Sequence, residues 1–288
     1  MNFTITKRFC KKILPPFIFD IYRYLKHNNS KSQFNQKEVS EVKIAYKYYC
    51  PVCRTHIIDF NRLPDFYMEQ LDINRNIHPF FYSETMNYLK YLCPNCSTSD
   101  RNRLYALYFE QFFRGIKDIN IELKFLDIAP DKTLAKFIKS FNFINYRSVD
   151  LLMEDVDDRS DITNLSIYED NRFDVLLCSH VLEHIVEDRK AMLELYRILK
   201  PGGFGIIMVP ILLTLSEDLE NPEWTSEADR WKYYGQNDHV RMYSKPGFIE
   251  KLTNTGFKVN QYGINYFGKD VFEKSGIHAR SVLHVVEK

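Results

Sequence analysis

Glycine is scarce in this chain, ten residues in 288. The stretch KFLDIAPDKTLAKF, Lys124 to Phe137, reads as a buried strand turning into a helix, and its turn has no glycine. A dinucleotide site built on G-x-G-x-x-G needs bare backbone against a pyrophosphate, so this absence argues against a nicotinamide dehydrogenase. Net charge is almost absent too. Thirty-nine Lys/Arg stand against 38 Asp/Glu, a balance of +1, which leaves little whole-protein attraction for nucleic acid. Long apolar runs are missing. Nothing approaches the ~20 residues of a membrane span. ILPPFIF is short, holds two prolines and lacks a small-residue cleavage site. A cytoplasmic location is expected. Apolar residues still make up 45%, enough for a core and against general disorder.

What charge there is lies unevenly. Residues 1–43 hold nine Lys/Arg against Asp20, Glu38 and Glu41, a local balance of +6. This basic N-terminal arm mixes cations with aromatics. It could rest on an anionic membrane surface, at the inner face, or on a partner; the plainer reading is a solvated arm with a short helix.

Six cysteines are present, and four form CPVC (Cys50, Cys53) and CPNC (Cys93, Cys96), with 39 residues between the pairs. Two residues between thiolates let both face one ion from a tight turn, and two such turns complete a tetrahedral S4 site. Zinc is the expected structural metal, with iron the lesser alternative. A redox pair would open a helix within a βαβ unit, and neither pair has that setting. Disulfides are disfavoured without an export signal. Residues 44–100 therefore read as a small zinc-ribbon-like module. Cys10 and Cys178 read as ordinary thiols, Cys178 at the end of an apolar strand. His56 and His78 are not needed as ligands.

After Arg101 helices and strands alternate. RNRLYALYFEQFFRGI is a helix near Gly115, and LKFLDI a central parallel strand. PDKTLAKFIKSF is a helix with Leu134, Phe137, Ile138 and Phe141 on one face. YRSVDL and RFDVLLCS are strands. DRKAMLELYRILKPGG is a helix that Pro201-Gly202-Gly203 should stop. FGIIMVPI is a strand, SKPGFIEKLTNTG a helix closed by Gly256, and FKVNQYGI and ARSVLHVVE the last strands. The alternation predicts a doubly wound α/β sheet, with its ligand beyond the carboxyl ends of the strands.

Three acids fall at such ends. Asp127 closes the first strand, and Asp150 the second, 23 residues on, a spacing suited to ribose hydroxyls. Asp161, in SDITNL, could meet an adenine amino group. Each could equally be a turn or cap aspartate. With FDVLLCSHVLEHIVEDRKAMLELYRILKPGG and GQNDHVRMYSKPGFIEKLTNTGF, the chain from about Arg101 onward resembles the class I S-adenosylmethionine-dependent methyltransferases. It looks most like a bacterial subgroup of type 11-like enzymes with an N-terminal cysteine module. The resemblance implies a Rossmann-like seven-stranded sheet of order 3-2-1-4-5-7-6 across residues 101–288, its last strand antiparallel. It implies S-adenosylmethionine as cofactor. The methionine end would lie at Asp127, Ile128 and Ala129, with Ser179 nearby. The ribose would lie at Asp150 and Leu151, and the adenine at Asp161 and Ile162.

The turn departs from the family's acid-x-Gly-x-Gly, reading DIAPD instead. Ala129 permits close approach if φ stays negative. Pro130 suits the first helical position. The helix N-terminus could face a carboxylate, provided Asp131 turns away as a cap. A sulfonium nucleoside has no phosphate, so the missing glycines harm its binding less than they would harm NAD.

Methyl transfer to oxygen needs alignment and removal of a proton. His180, directly after the fourth strand, is a candidate base or a packing group. His184, beside Glu183, reads as structural or a cap. His239 is a candidate base or substrate ligand, and Arg241 an anion or hydroxyl contact. Both end an insertion, residues 212–243, whose Trp224, Trp231, Tyr233 and Tyr234 suggest an acceptor lid. The expected activity is O-methylation of a glycan or small molecule in surface-polysaccharide synthesis. Nucleic acid is not expected as a partner, because residues 44–100 balance their cations with acids. The alternatives are an RNA methyltransferase with a zinc module and a non-catalytic zinc-stabilised scaffold.

Overall fold

The computed structural model describes residues 46–116 and 121–288. The basic arm, its expected surface contact and Cys10 lie outside those residues. The chain enters as a small antiparallel hairpin, β1 (Tyr48–Cys50) and β2 (Thr55–Ile57), followed by α1 (Asp65–Ile73). α2 (Asp100–Arg114) starts at Ser99, whose side chain accepts from the Asn102 amide. The main sheet then alternates with helices: β3 (Leu123–Ile128), α3 (Lys132–Lys139), β4 (Ile144–Asp150), β5 (Asp158–Arg159), β6 (Phe173–Ser179), α4 (Asp188–Ile198) and β7 (Leu199–Met208). After α5 (Glu227–Tyr234) come α6 (Lys245–Thr255), β8 (Lys258–Tyr262), two short helices, α7 (Ile264–Phe267) and α8 (Lys269–Lys274), and β9 (Leu283–Glu287).

The strand order is β5-β4-β3-β6-β7-β9-β8. Counted within the sheet this is 3-2-1-4-5-7-6, with β9 antiparallel to both neighbours and the first five strands parallel. Central strands alternate their side chains between two covered faces, which is why they read as unbroken apolar runs. Phe125, Val175 and Leu177 join the core under α2 and α3; Leu126, Ile128, Leu176 and Cys178 join the core under α4 and α6. Cys178 is fully buried, as its strand position implied.

One helix end differs from expectation. α4 stops at Ile198, and Leu199 already pairs with Phe173 in the sheet, so Pro201-Gly202-Gly203 lies within β7. Proline pushes the residue before it towards extended backbone, so Lys200 belongs to the strand. The register shifts between Phe173 and Val175, and a Cβ on Gly203 would stand 2.9 Å from the Asp174 carbonyl oxygen. The glycine is needed for close strand approach at this irregularity.

The cysteine segment and the sheet form one compact unit. Arg103 of α2 fastens them. Its side chain is fully buried, and its guanidinium donates to the carbonyls of Ser275, Gly276, Tyr91, Thr98 and Lys90 while lying 3.8 Å over the Phe60 ring. Glu84 adds a second tie, accepting from Lys245 and meeting His284 Nε2 at 2.7 Å. Among the described residues no helix is long and apolar enough to cross a membrane.

Candidate active site

The carboxyl edge of the parallel strands carries two cavities. The first, about 490 Å³, is lined by Ile128, Ala129, Asp150, Leu151, Asp161, Ile162, His180, His184 and Asp238, among others. The second, about 480 Å³, is lined by Ser99, Arg101, Asp127, Ile128, Ala129, Asp131, Ser179 and His180, with Tyr91 and Leu92 of the cysteine segment. They share Ile128, Ala129 and His180. All eight residues expected at the cofactor line one or the other, and His180 lines both.

Ala129 and His180 end the two central strands, and both have left-handed backbone, with φ of 52° and 59°. The negative φ expected of Ala129 is therefore not what the turn uses. The sharp exit from a parallel strand demands the conformation a glycine would take cheaply; alanine holds it at about 1 kcal/mol of steric cost. The Ala129 amide continues the ladder to Val149, and the His180 amide continues it to Met208. Pro130 is also displaced. The cap of α3 is Asp131, whose Oδ1 accepts from the amides of Thr133 and Leu134, so Pro130 precedes the cap instead of opening the helix. Asp131 thus turns into its own helix. It occupies two amides that a cofactor carboxylate would otherwise have used.

Asp127 is 1% exposed, and its Oδ2 accepts from Tyr146 Oη at 2.8 Å. Burial pushes its carboxyl up to about 7, against the lowering effect of that bond. The folded chain therefore holds a proton that an unfolded aspartate releases near 4. The contribution of Asp127 to stability must fall as pH rises from about 4 towards 7, because at this group the unfolded state then binds fewer protons than the folded one. Asp127→Asn should remove this contribution and shift the slope of stability against pH upward, read from urea midpoints at the two ends of the range; an unchanged slope would place the proton elsewhere.

Asp150 and Asp161 are turn caps as well as cavity walls. Asp150 Oδ1 takes the Leu152 and Met153 amides, and Asp161 Oδ1 takes the Thr163 amide. Each keeps Oδ2 without a partner among the described residues. Ser179 Oγ shares a 2.9 Å bond with Tyr105 Oη. Arg101, which the sequence reading passed over, faces the second cavity with no ion pair among the described residues.

Beside His180 three groups converge: Glu183, His184 and His239. Glu183, in the 3-10 turn Leu182–His184, is 1% exposed. His180 Nδ1 stands 3.2 Å and His184 Nε2 3.9 Å from Glu183 Oε1, and the rings of His184 and His239 lie 4.9 Å apart. Burial, reinforced by Arg101, drives His180 down to about 4, so its ring is neutral. Burial also lowers His239. Burial raises Glu183, but the surrounding histidines outweigh it and hold the carboxyl below its usual range.

Two expectations fail here. Arg241 lines neither cavity: it is 4% exposed, donates to the carbonyls of Leu182, Ile185 and Val186, and pairs with Glu220. Its fork is consumed in holding the Leu182–Val186 turn, so it has no donor for an acceptor. The 212–243 segment is not an open aromatic lid. Trp224 stacks on Tyr233 at 3.6 Å, Trp231 and Tyr234 are buried, and Tyr234 Oη bonds Asn221. His239 lines neither cavity, but stands behind His184 at 3% exposure. Glu183 was the central residue missed, although H-V-L-E-H places His180, Glu183 and His184 at helical i, i+3, i+4 spacing.

The four cysteine sulfurs also converge. Cys50 and Cys96 Sγ are 3.8 Å apart, as are Cys53 and Cys93, and all four lie within 4.8 Å of one another as unpaired thiols.

Residues 106–207 match the family model described as "Methyltransferase domain". Among curated proteins no match is found. Similar solved structures include an S-adenosylmethionine-dependent methyltransferase from Archaeoglobus fulgidus, 16% identical, covering 65% of this chain and 94% of that one, with TM-score 0.42. Phosphoethanolamine N-methyltransferase 2 of Haemonchus contortus, in complex with S-adenosylmethionine, is 19% identical over 62% of this chain and 41% of its own, with TM-score 0.41. A Haloferax volcanii putative methyltransferase in complex with its activator Trm112 is 14% identical over 65% and 93%, with TM-score 0.39. The family match covers the central strands whose carboxyl ends form both cavities, so residues 106–207 of the chain carry a methyltransferase domain.

Proposed function

We propose that the two cavities form one cofactor trough and that the methyl group is delivered to a hydroxyl of a glycan or small-molecule acceptor. The observation that carries this is their junction at Ile128, Ala129 and His180. The residues fit S-adenosylmethionine. The free Oδ2 of Asp150 suits a ribose hydroxyl and Asp161 with Ile162 suits the adenine, both in the first cavity. Asp127 and Ser179 suit the methionine end in the second. With two amides of α3 occupied by Asp131, the unpaired Arg101 takes over as partner for the cofactor carboxylate. When bound, the cofactor supplies an activated methyl group, so the chain mainly aligns and dries the site.

The rim of the first cavity favours a hydroxylated acceptor over RNA. Asp150, Asp161 and Asp238 line it, and these carboxylates would repel a phosphodiester chain. Surface-polysaccharide synthesis in the cytoplasm, at the inner face of the membrane, is the setting that the family resemblance and the basic arm favour. Zinc is the fitting structural metal for Cys50, Cys53, Cys93 and Cys96. Tetrahedral Zn–S arms of ~2.3 Å give edges of about 3.8 Å, the spacing of the two closest sulfur pairs.

Calorimetry with S-adenosylhomocysteine tests the trough. Wild type should bind, and Asp150→Ala should weaken binding by roughly 10- to 100-fold, the loss of a charged hydrogen bond. Equal affinity in both would remove Asp150 from the site; no heat from wild type would retire the trough. Salt-sensitive retention on RNA would favour the nucleic-acid reading instead.

A further inference from the structure

Glu183 is a buried carboxylate whose two oxygens have no hydrogen-bond partner. His239 Nε2 is likewise buried and unpartnered. Two such groups left unsatisfied side by side would each cost several kcal/mol, unless something absent from the chain joins them. A hydrogen bond between them would have removed the problem, and the chain does not make it.

The nitrogens facing away from the centre are the informative ones. His239 Nδ1 lies 3.2 Å from the Tyr234 carbonyl oxygen, and His184 Nδ1 lies 3.3 Å from Asp238 Oδ2. Each ring is thus held through one nitrogen by a carbonyl or carboxylate; the other nitrogen of His184 stands 3.9 Å from Glu183 Oε1, and that of His239 is left without a partner. This is how metal-binding histidines are oriented and fixed in one tautomer. One ligand atom from each of Glu183, His184 and His239 lies within 4.8 Å of the others. The Val240 amide donates to the Glu183 carbonyl, which fixes the His239 segment against the turn. Arg241 clamps the same turn through three carbonyls. The buried arginine therefore has a purpose: it holds the ligand-bearing turn.

We propose that Glu183, His184 and His239 form a second metal site, for a divalent first-row ion such as Mn²⁺, Fe²⁺, Co²⁺ or Zn²⁺. Two imidazoles and one carboxylate suit these ions; Mg²⁺ and Ca²⁺ would want oxygens throughout. His180 Nδ1 stands 3.2 Å from Glu183 Oε1 without an aligned hydrogen bond, so it acts as a positioning residue beside the carboxylate and leaves its oxygens to the ion. His184 and Asp238 line the first cavity, so the open coordination positions face it. An acceptor hydroxyl reaching the ion from the His180 junction of the two cavities would be acidified by it and would release its proton to water near neutral pH. That role rests on the hydroxyl-acceptor reading above; the site itself does not.

The full chain, with its cysteine site loaded with zinc, is titrated with Mn²⁺, and the free aqueous ion is followed by electron paramagnetic resonance. One Mn²⁺ per chain should bind. Glu183→Gln and His239→Ala should each weaken it by about 100-fold, and Asp238→Asn, on the exposed rim, by about 10-fold. Circular dichroism and retained S-adenosylhomocysteine binding establish that the variants fold. If the buried variants fail to fold, the exposed Asp238→Asn still decides. No Mn²⁺ bound at millimolar concentration, or wild-type affinity in the folded variants, overturns the site. Mn²⁺ binding without S-adenosylhomocysteine binding leaves the site standing and retires the cofactor trough; the reverse result retires the site alone.

Discussion

With zinc in the cysteine cluster, as proposed above, Cys93→Ser should strip out the metal and take the wall of the second cavity with it. The segment around the cluster has little regular structure of its own: β1 and β2 have three residues each, and α1 buries only Leu71. Structural zinc supplies about 10–16 kcal/mol of apparent folding free energy in small modules that cannot fold without it. The consequence reaches the cofactor. Leu92, Ser97 and Ser99 line the second cavity, and Thr133 Oγ1, at the start of α3, donates to the Cys96 carbonyl at 3.3 Å. Loss of the metal should therefore lower the melting temperature by well over 10 °C, since each kcal/mol is worth a few degrees in a chain of this size. It should also weaken S-adenosylhomocysteine binding at least tenfold. Cys178→Ala, a buried thiol outside the cluster, should leave metal content intact and is the control. Metal content near zero in wild type, or full cofactor affinity in Cys93→Ser, would refute the prediction.

The sheet was readable because its central strands are covered on both faces and its helices carry one apolar stripe. LKFLDI and FDVLLCS have nothing polar to expose except Lys124, Asp127, Asp174 and Ser179, and those lie at or next to the strand ends. The end of α4 was not readable, since Pro-Gly-Gly stops a helix and bends a strand with equal ease. Only the pairing of Leu199 with Phe173 decides between them. The same limit applies to Ala129. Its left-handed φ is imposed by the exit from β3 and cannot be inferred from alanine, which normally avoids it. The cavity residues were legible because strand ends project to one edge. Arg241 was misread because a cation near a histidine gives no sign, in one dimension, that four carbonyl and carboxylate acceptors surround it. Glu183 was missed for the opposite reason: a glutamate in a helical turn is ordinary until its burial is known.

Arg103→Met should be among the most damaging single changes outside the cavities. The guanidinium reaches five carbonyls drawn from three separate segments: Lys90 and Tyr91, Thr98, and Ser275 with Gly276. None of those oxygens would gain a replacement donor from methionine, and each buried acceptor left bare carries its own penalty. Arginine itself sits there at a cost, since burial lowers its pKa and the neighbouring Asp100 only partly offsets that. The balance is favourable because every donor is used. Removing one member of such a buried, fully satisfied arrangement typically costs about 3–5 kcal/mol. Methionine fills similar volume, so cavity formation contributes little and the measured loss reports the bonds. Arg103→Lys should recover less than half, because a single ammonium cannot reach five carbonyls in three segments or replace the planar guanidinium 3.8 Å from the centre of the Phe60 ring. Urea midpoints at constant slope supply the measurement. A shift worth less than about 1 kcal/mol for the methionine variant would mean that the five carbonyls find water, and that the cysteine segment is held to the sheet by its apolar contacts alone.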